Sequence, residues 1–187
     1  MIPNRRSFLA LTAVSAAVCS TGLPVRPANA ATAEDLNRGA AQALQALYGH
    51  TEAAAKIGKI AKATLVFPTI IRAGLIFGAG YGEGVLMEGS KATDYYNSVS
   101  GSWGLQFGGE TYGYVVFLMT DKALSYLQNS KGWEIGVGPT VVVGDEGIVR
   151  NLTSTTLRAD AYAFIFNQKG VMASLSIEGT KISHIKR

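Results

Sequence analysis

A short stretch between Ala63 and Gly89 carries glycine at every second position. The glycines concerned are Gly78, Gly80, Gly82 and Gly84. Because alternate residues of a β-strand point to the same side, this spacing leaves one face of the strand without side chains. A bare face allows another segment to approach the backbone closely. The stretch therefore predicts a strongly bent, closely packed strand at the centre of the fold.

The first thirty residues have the layout of an export signal. Arg5 and Arg6 precede an apolar run from Ala10 to Val18, and Ala28-Asn29-Ala30 has the small residues of a cleavage site. The apolar run is too short to span a bilayer as a mature helix, and the paired arginines favour twin-arginine export. We therefore predict a signal peptide over residues 1–30 and a bacterial protein of the periplasm or medium, free or peripheral on a membrane.

Removal of this segment would change the charge of the protein. The 17 basic side chains of the chain include Arg5, Arg6 and Arg26, so 14 would remain against 13 acidic ones. A basic protein of the kind that binds nucleic acid is therefore not predicted. Cys19, the one cysteine, would also be removed; lipidation there is disfavoured because Val18, and not a small residue, lies directly before it. The remaining residues, 31–187, show no linker, so we predict one domain without a disulfide.

The patterns after the signal segment indicate helices first and strands afterwards. Residues 33–61 place apolar side chains at three- and four-residue intervals, which predicts two helices. Short apolar segments separated by glycine-rich turns follow, together with a brief helix over residues 122–129 and a closing hairpin from Asp160 to Ile177. The sequence predicts an α+β fold, in which N-terminal helices pack on a curved, glycine-rich antiparallel sheet or a partly closed β-barrel.

Three lysines lie on the second of these predicted helices. Lys56, Lys59 and Lys62 follow one another at three-residue intervals, so neighbouring lysines share one side of a helix. Ile57 and Ile60 are expected to face inward. One interpretation of the lysines is an ordinary solvated helix face. The other is a surface for anionic lipid head groups, because cations near a charged membrane are attracted to it.

Several ordered motifs resemble those of the SYLF domain family, and together they extend from about Ala55 to Ile185. The motifs are Ala61–Pro68, Arg72–Gly74, Phe77–Gly84, Gly104–Glu110, Gly136–Pro139, Tyr162–Phe166, Lys169–Gly170 and Ser174–Gly179. The family is one of lipid-binding domains, whose eukaryotic members bind phosphoinositides and, in some cases, actin. The resemblance therefore implies a non-catalytic lipid-binding domain that requires no cofactor.

The resemblance also implies where lipid would bind. Family members contact anionic phospholipid through basic residues near the start of the domain. The positions here that fit are Lys56, Lys59, Lys62 and Arg72. Actin and most phosphoinositides are absent from a periplasm, so those two partners are not expected. We expect an exported bacterial protein that recognises anionic, phosphoinositide-like head groups through a basic helix face.

Two other functions stay open. An adaptor or structural protein of the envelope would bind another protein through its exposed β surface. An enzyme acting on lipid or cell-wall material would use Glu83 and Glu110 as an acid pair, if the fold brings the two carboxylates together. Other signals of chemistry are weak, since no GxGxxG segment opens onto a helix, no GxSxG is present, and His50 and His184 lack the spacing of a metal site.

Overall fold

The computed structural model describes residues 31–74, 77–103, 108–144, 158–170, 177 and 179–187. The predicted signal peptide, residues 1–30, lies outside the described residues. So does most of the second arm of the predicted closing hairpin, residues 171–176. The division into a leader and one mature domain over residues 31–187 therefore stays a prediction.

Three helices and eight strands make up the described chain. The helices are α1 (Ala33–His50), α2 (Glu52–Ile60) and α3 (Asp121–Asn129). The strands are β1 (Ala63–Gly74), β2 (Phe77–Glu88), β3 (Lys91–Trp103), β4 (Gly108–Leu118), β5 (Trp133–Glu134), β6 (Val141–Val143), β7 (Ala161–Gly170) and β8 (Lys181–Ile185). The strands form one sheet that curls into a half-barrel, which confirms the predicted α+β fold with a curved sheet.

Threonines set the helix boundaries. Thr32 caps α1, because its hydroxyl accepts a hydrogen bond from the backbone N–H of Asp35 at 3.2 Å. Thr51 adopts an extended conformation between α1 and α2, and its N–H donates to the carbonyl of Leu47 at 2.8 Å. Thr120 caps α3 as Thr32 caps α1. None of the described helices has both the length and the hydropathy needed to cross a membrane.

The strand order is β5-β8-β3-β2-β1-β4-β7-β6, so the two longest hairpins lie at the centre of the sheet. All neighbouring strands are antiparallel except β6 and β7, which are parallel. The predicted antiparallel sheet therefore carries one parallel pair at its edge. The connection from residue 144 to residue 160 is long enough for this pairing, because parallel neighbours need about a dozen connecting residues or more. Among the described strands the sheet stays open, with β5 and β6 at its edges.

The central strand β1 contains a β-bulge. Its register shifts by one residue between Val66 and Thr69 against β2, and between Phe67 and Ile70 against β4. Pro68 lies at this point. Proline has no N–H to donate to a ladder, so a bulge is one of the few places where a central strand accepts it.

The two faces of the sheet carry different cores. The helical face, which includes Val66, Val85 and Val115, packs against α1 and α2. The glycine face, which includes Phe67 and Tyr114, carries the glycines of β2 and packs against α3. Both clusters are buried, so the sheet lies between two layers over part of its length.

The glycines of β2 are closely packed, as predicted. All four are buried. A Cβ atom on Gly82 would lie 2.5 Å from Cδ1 of Ile70, and one on Gly84 would lie 2.5 Å from Cδ1 of Phe67. Neither distance leaves room for a methyl group, so the neighbouring strand occupies the space that the missing side chains leave.

Candidate functional site

The predicted lysine surface lies at the end of α2, and its geometry differs from the prediction in two ways. The helix ends at Ile60, so Lys62 lies beyond it in the turn before β1. Ile57 is buried as expected, but Ile60 is 58 % exposed, which corrects the prediction that it faces inward. Because Ile60 follows Lys56 by four residues, the two side chains share one side of the helix. We call Lys56, Lys59, Ile60 and Lys62 the basic end of α2.

Two of the three lysines have carboxylate partners. Lys56 Nζ lies 2.8 Å from Oε1 of Glu52, and this hydrogen bond lowers the pKa of the Glu52 carboxyl. Lys62 Nζ lies 2.7 Å from both carboxylate oxygens of Asp121, the first residue of α3. Over the described part of the chain, Lys59 has no ion pair. Exposed ion pairs of this kind are weak, so an anionic ligand can replace either carboxylate.

Arg72 does not join the lysines. It lies on the glycine face of β1, opposite Gly80 and Glu110, and only 8 % of it is exposed. Arg72 is the tenth residue of β1, which begins directly after Lys62, so about 30 Å of extended chain separates the two. A head group held by Lys59 and Arg72 together is therefore not supported by the fold.

Arg72 instead belongs to a largely buried set of polar side chains on the glycine face, which was not predicted from the sequence. Tyr114 donates a hydrogen bond from its hydroxyl to Oγ of Ser98 at 2.8 Å, and burial raises the pKa of this tyrosine. Gln168 Nε2 donates to Oε1 of Glu110 at 2.9 Å. Within the described residues, Nε of Arg72 and Oε2 of Glu110 are buried without a hydrogen-bond partner. The glycines of β2 were the available signal, because a face without side chains leaves room for such groups.

The acid pair considered for an enzyme does not form. Glu83 lies on the helical face, where it accepts a hydrogen bond from the Tyr81 hydroxyl at 2.8 Å and pairs with Arg187. Glu110 lies on the glycine face, so the sheet separates the two carboxylates. His184 pairs with Asp94 at 3.2 Å, and the described residues contain no group of three metal-ligating side chains.

Comparison with known proteins identifies the family. Residues 99–187 match the Ysc84 family model, described as Las17-binding protein actin regulator. The predicted SYLF family is confirmed. The match begins within β3 and extends through β8, while the SYLF-like motifs of β1 and β2 precede it. No curated protein matches the chain. The description of the SYLF family names binding and regulation, which places the family among binding domains rather than enzymes.

Proposed function

We propose that this protein binds anionic phospholipid without catalysing a reaction, and that the basic end of α2 is its lipid-contacting surface. The observation that carries the proposal is the exposed side chain of Ile60 beside Lys56 and Lys59. An exposed apolar anchor among cations is typical of surfaces that enter the head-group region of a bilayer. The resemblance to SYLF lipid-binding domains supports the same class of ligand.

The expected affinity of this surface is low. Three lysines near a charged membrane contribute about 1 kcal/mol each, and burial of Ile60 contributes about 2 kcal/mol. A total of about 5 kcal/mol corresponds to a dissociation constant on the order of 10⁻⁴ M. The contact is therefore reversible, and it should weaken as salt rises because exposed charges are screened. Stable attachment would need a second contact.

Vesicle flotation tests the proposal. Wild-type protein should float with vesicles that contain phosphatidylglycerol or cardiolipin, and much less with vesicles of phosphatidylcholine alone. The triple variant Lys56→Glu, Lys59→Glu and Lys62→Glu should lose at least tenfold in apparent affinity. Its melting temperature should be measured alongside, because the new carboxylates face Glu52 and Asp121.

A matched control separates local contact from total charge. The exposed lysines Lys91, Lys131 and Lys186 lie outside the basic end of α2, and their replacement by glutamate changes the net charge by the same amount. This control should lose much less affinity than the first variant. An equal loss in both would show that only the overall charge matters, and absence of wild-type flotation would overturn the proposed function.

The alternative function is binding of another envelope protein. The SYLF family description names a protein-binding regulator, and this supports the adaptor role considered from the sequence. The adaptor role would be favoured if the wild-type protein captured one envelope protein specifically and bound none of the vesicles.

Export of the protein is a further part of the proposal, and it is supported by the sequence of residues 1–30. Fractionation of cells that express the complete chain tests whether the protein is exported.

A further inference from the structure

The helices cover only part of the helical face. α1 and α2 pack over Val66 and Val85, which are fully buried. Further along the same strands, the same face carries three large exposed side chains: Ile71 is 63 % exposed, Tyr81 is 50 % exposed and Val99 is 46 % exposed. These residues lie on neighbouring central strands, so the exposed apolar surface is continuous.

The exposed side chains lie in one register across the sheet. Val99 is opposite Tyr81, Tyr81 is opposite Ile71, and Ile71 is opposite Thr111. The same register continues to a lysine on each side: Val99 is opposite Lys181 of β8, and Thr111 is opposite Lys169 of β7. We call this line the sheet row; its members, all exposed, are Lys181, Val99, Tyr81, Ile71, Thr111 and Lys169. Six strands at the usual spacing give it a length of about 24 Å, measured along the curve of the sheet.

The surroundings leave the row accessible. Its neighbours towards the β1–β2 hairpin are small and exposed: Ala73, Ala79, Gly101 and Gly109. On the other side, a groove of about 370 Å³ separates Ile71 and Tyr81 from Leu36 of α1. β1 and β2 are hydrogen-bonded to a neighbouring strand on both sides. Contact with an apolar phase would therefore leave no backbone group of these two strands exposed to it without a hydrogen-bond partner.

We propose that the sheet row is a second membrane-contact surface, which places Ile71, Tyr81 and Val99 in the head-group region of an anionic bilayer. Lys169 and Lys181 would reach phosphates at the two ends, because lysine keeps its charged end in the polar layer while its stem covers apolar surface. Tyrosine is enriched at that depth for a similar reason. The inference rests on the proposed function and supplies the second contact that a weak first contact requires.

The charges of the row favour a lipid surface over other occupants. Near the row, Glu83 is paired with Arg187, Asp35 of the groove is paired with Arg38, and Glu134 lies opposite Lys181. Each of these acidic groups is therefore matched by a cation, and Lys169 adds a further positive charge. An isolated acidic group would meet only one of the two end lysines, because four strands lie between β8 and β7, whereas an anionic bilayer extends beside both. A second copy of the chain, laid row to row, would bring lysines close to lysines.

Two valines provide the test. Val99 lies in the row, and Val137 is 55 % exposed outside it, so Val99→Glu and Val137→Glu make the same chemical change at similar exposure. In protein recovered from cells that express the complete chain, Val99→Glu should lower the affinity for phosphatidylglycerol vesicles at least tenfold. Val137→Glu should stay within about twofold of wild type, and both should melt as wild type does. Equal binding by the two variants would overturn the inference.

A fluorescent reporter separates this inference from the proposed function. A polarity-sensitive dye would be attached at Val99→Cys or at Lys59→Cys, in a chain with Cys19→Ser. A blue shift at both positions with anionic vesicles supports both surfaces. A shift at position 59 alone overturns the sheet row and keeps the proposed function, whereas flotation lost in every form overturns the proposed function itself. If Val99→Glu instead changes the sedimentation of vesicle-free protein, the row contacts a second copy and the inference is wrong.

Discussion

The covered and uncovered halves of the helical face are built from the same strands. Val66 and Val85 lie fully buried beneath α1 and α2, whereas Ile71 and Tyr81 lie at least half exposed a few residues away. The strand sequences do not account for this difference, since both halves carry apolar residues. α1 has 18 residues and is about 27 Å long, while β1 has 12 and is about 40 Å long. A helix layer shorter than the strands leaves part of a face uncovered.

The largest expected effect concerns the two sides of β2. Gly82→Val would place a side chain against Ile70 and should lower the free energy of unfolding by about 3 kcal/mol, because a packed face has no room for added methyl groups. Ala79→Val adds side-chain volume to the exposed side of the same strand and should change stability by less than about 0.5 kcal/mol. Thermal unfolding measures both. A Gly82→Val variant as stable as wild type would show that the glycine face is not tightly packed.

A smaller effect compares the two halves of the helical face directly. Val66→Ala removes buried apolar volume and should lower the free energy of unfolding by about 2 kcal/mol, which shifts the melting temperature by about 4–8 °C in a chain of this size. Val99→Ala, on the uncovered half, should change it by less than about 0.5 kcal/mol. Denaturant titration of both variants checks the contrast. Similar losses would mean that something covers Val99 in solution.

The smallest effect concerns the end of the sheet row. Lys169→Gln removes one exposed cation and should weaken binding to anionic vesicles by about fivefold at low salt, since one lysine near a charged membrane contributes about 1 kcal/mol. Lys131→Gln removes an exposed cation elsewhere and serves as the control. Vesicle titration at low and high salt should show the difference between the variants shrinking as salt rises. A difference that does not depend on salt would argue against direct contact between Lys169 and the membrane.

The sequence predicts the local features of this fold better than its long-range ones. Alternating glycines predict a packed strand face, and helical spacing predicts α1 and the burial of Ile57, because both signals act between near neighbours. The end of α2 is less predictable, since Ile60, its last residue, is exposed although Ile57, three residues earlier, is buried. The partner of Lys62 is Asp121, which is distant in the sequence. No local pattern indicates that pair.

The polar side chains on the glycine face show the same limit. From the sequence alone, Arg72 is assigned to lipid binding and Glu110 to a possible acid pair, and the two are not related. Their placement opposite one another depends on the pairing of β1 with β4, which is a tertiary property. The sheet row is similar, because its six residues come from six strands and only the register aligns them.

The bulge at Pro68 changes which residues of β1 face each side of the sheet. Before it, Leu65 and Phe67 face the glycine side; after it, Ile70 and Arg72 do, so the odd-numbered positions exchange sides with the even-numbered ones. Without the bulge, β1 would bury Ile71 and expose Arg72. A single extra residue therefore decides which chemistry the outer end of the strand offers to its surroundings. Deletion of that residue would exchange an apolar contact for a cationic one without any change in the side chains themselves.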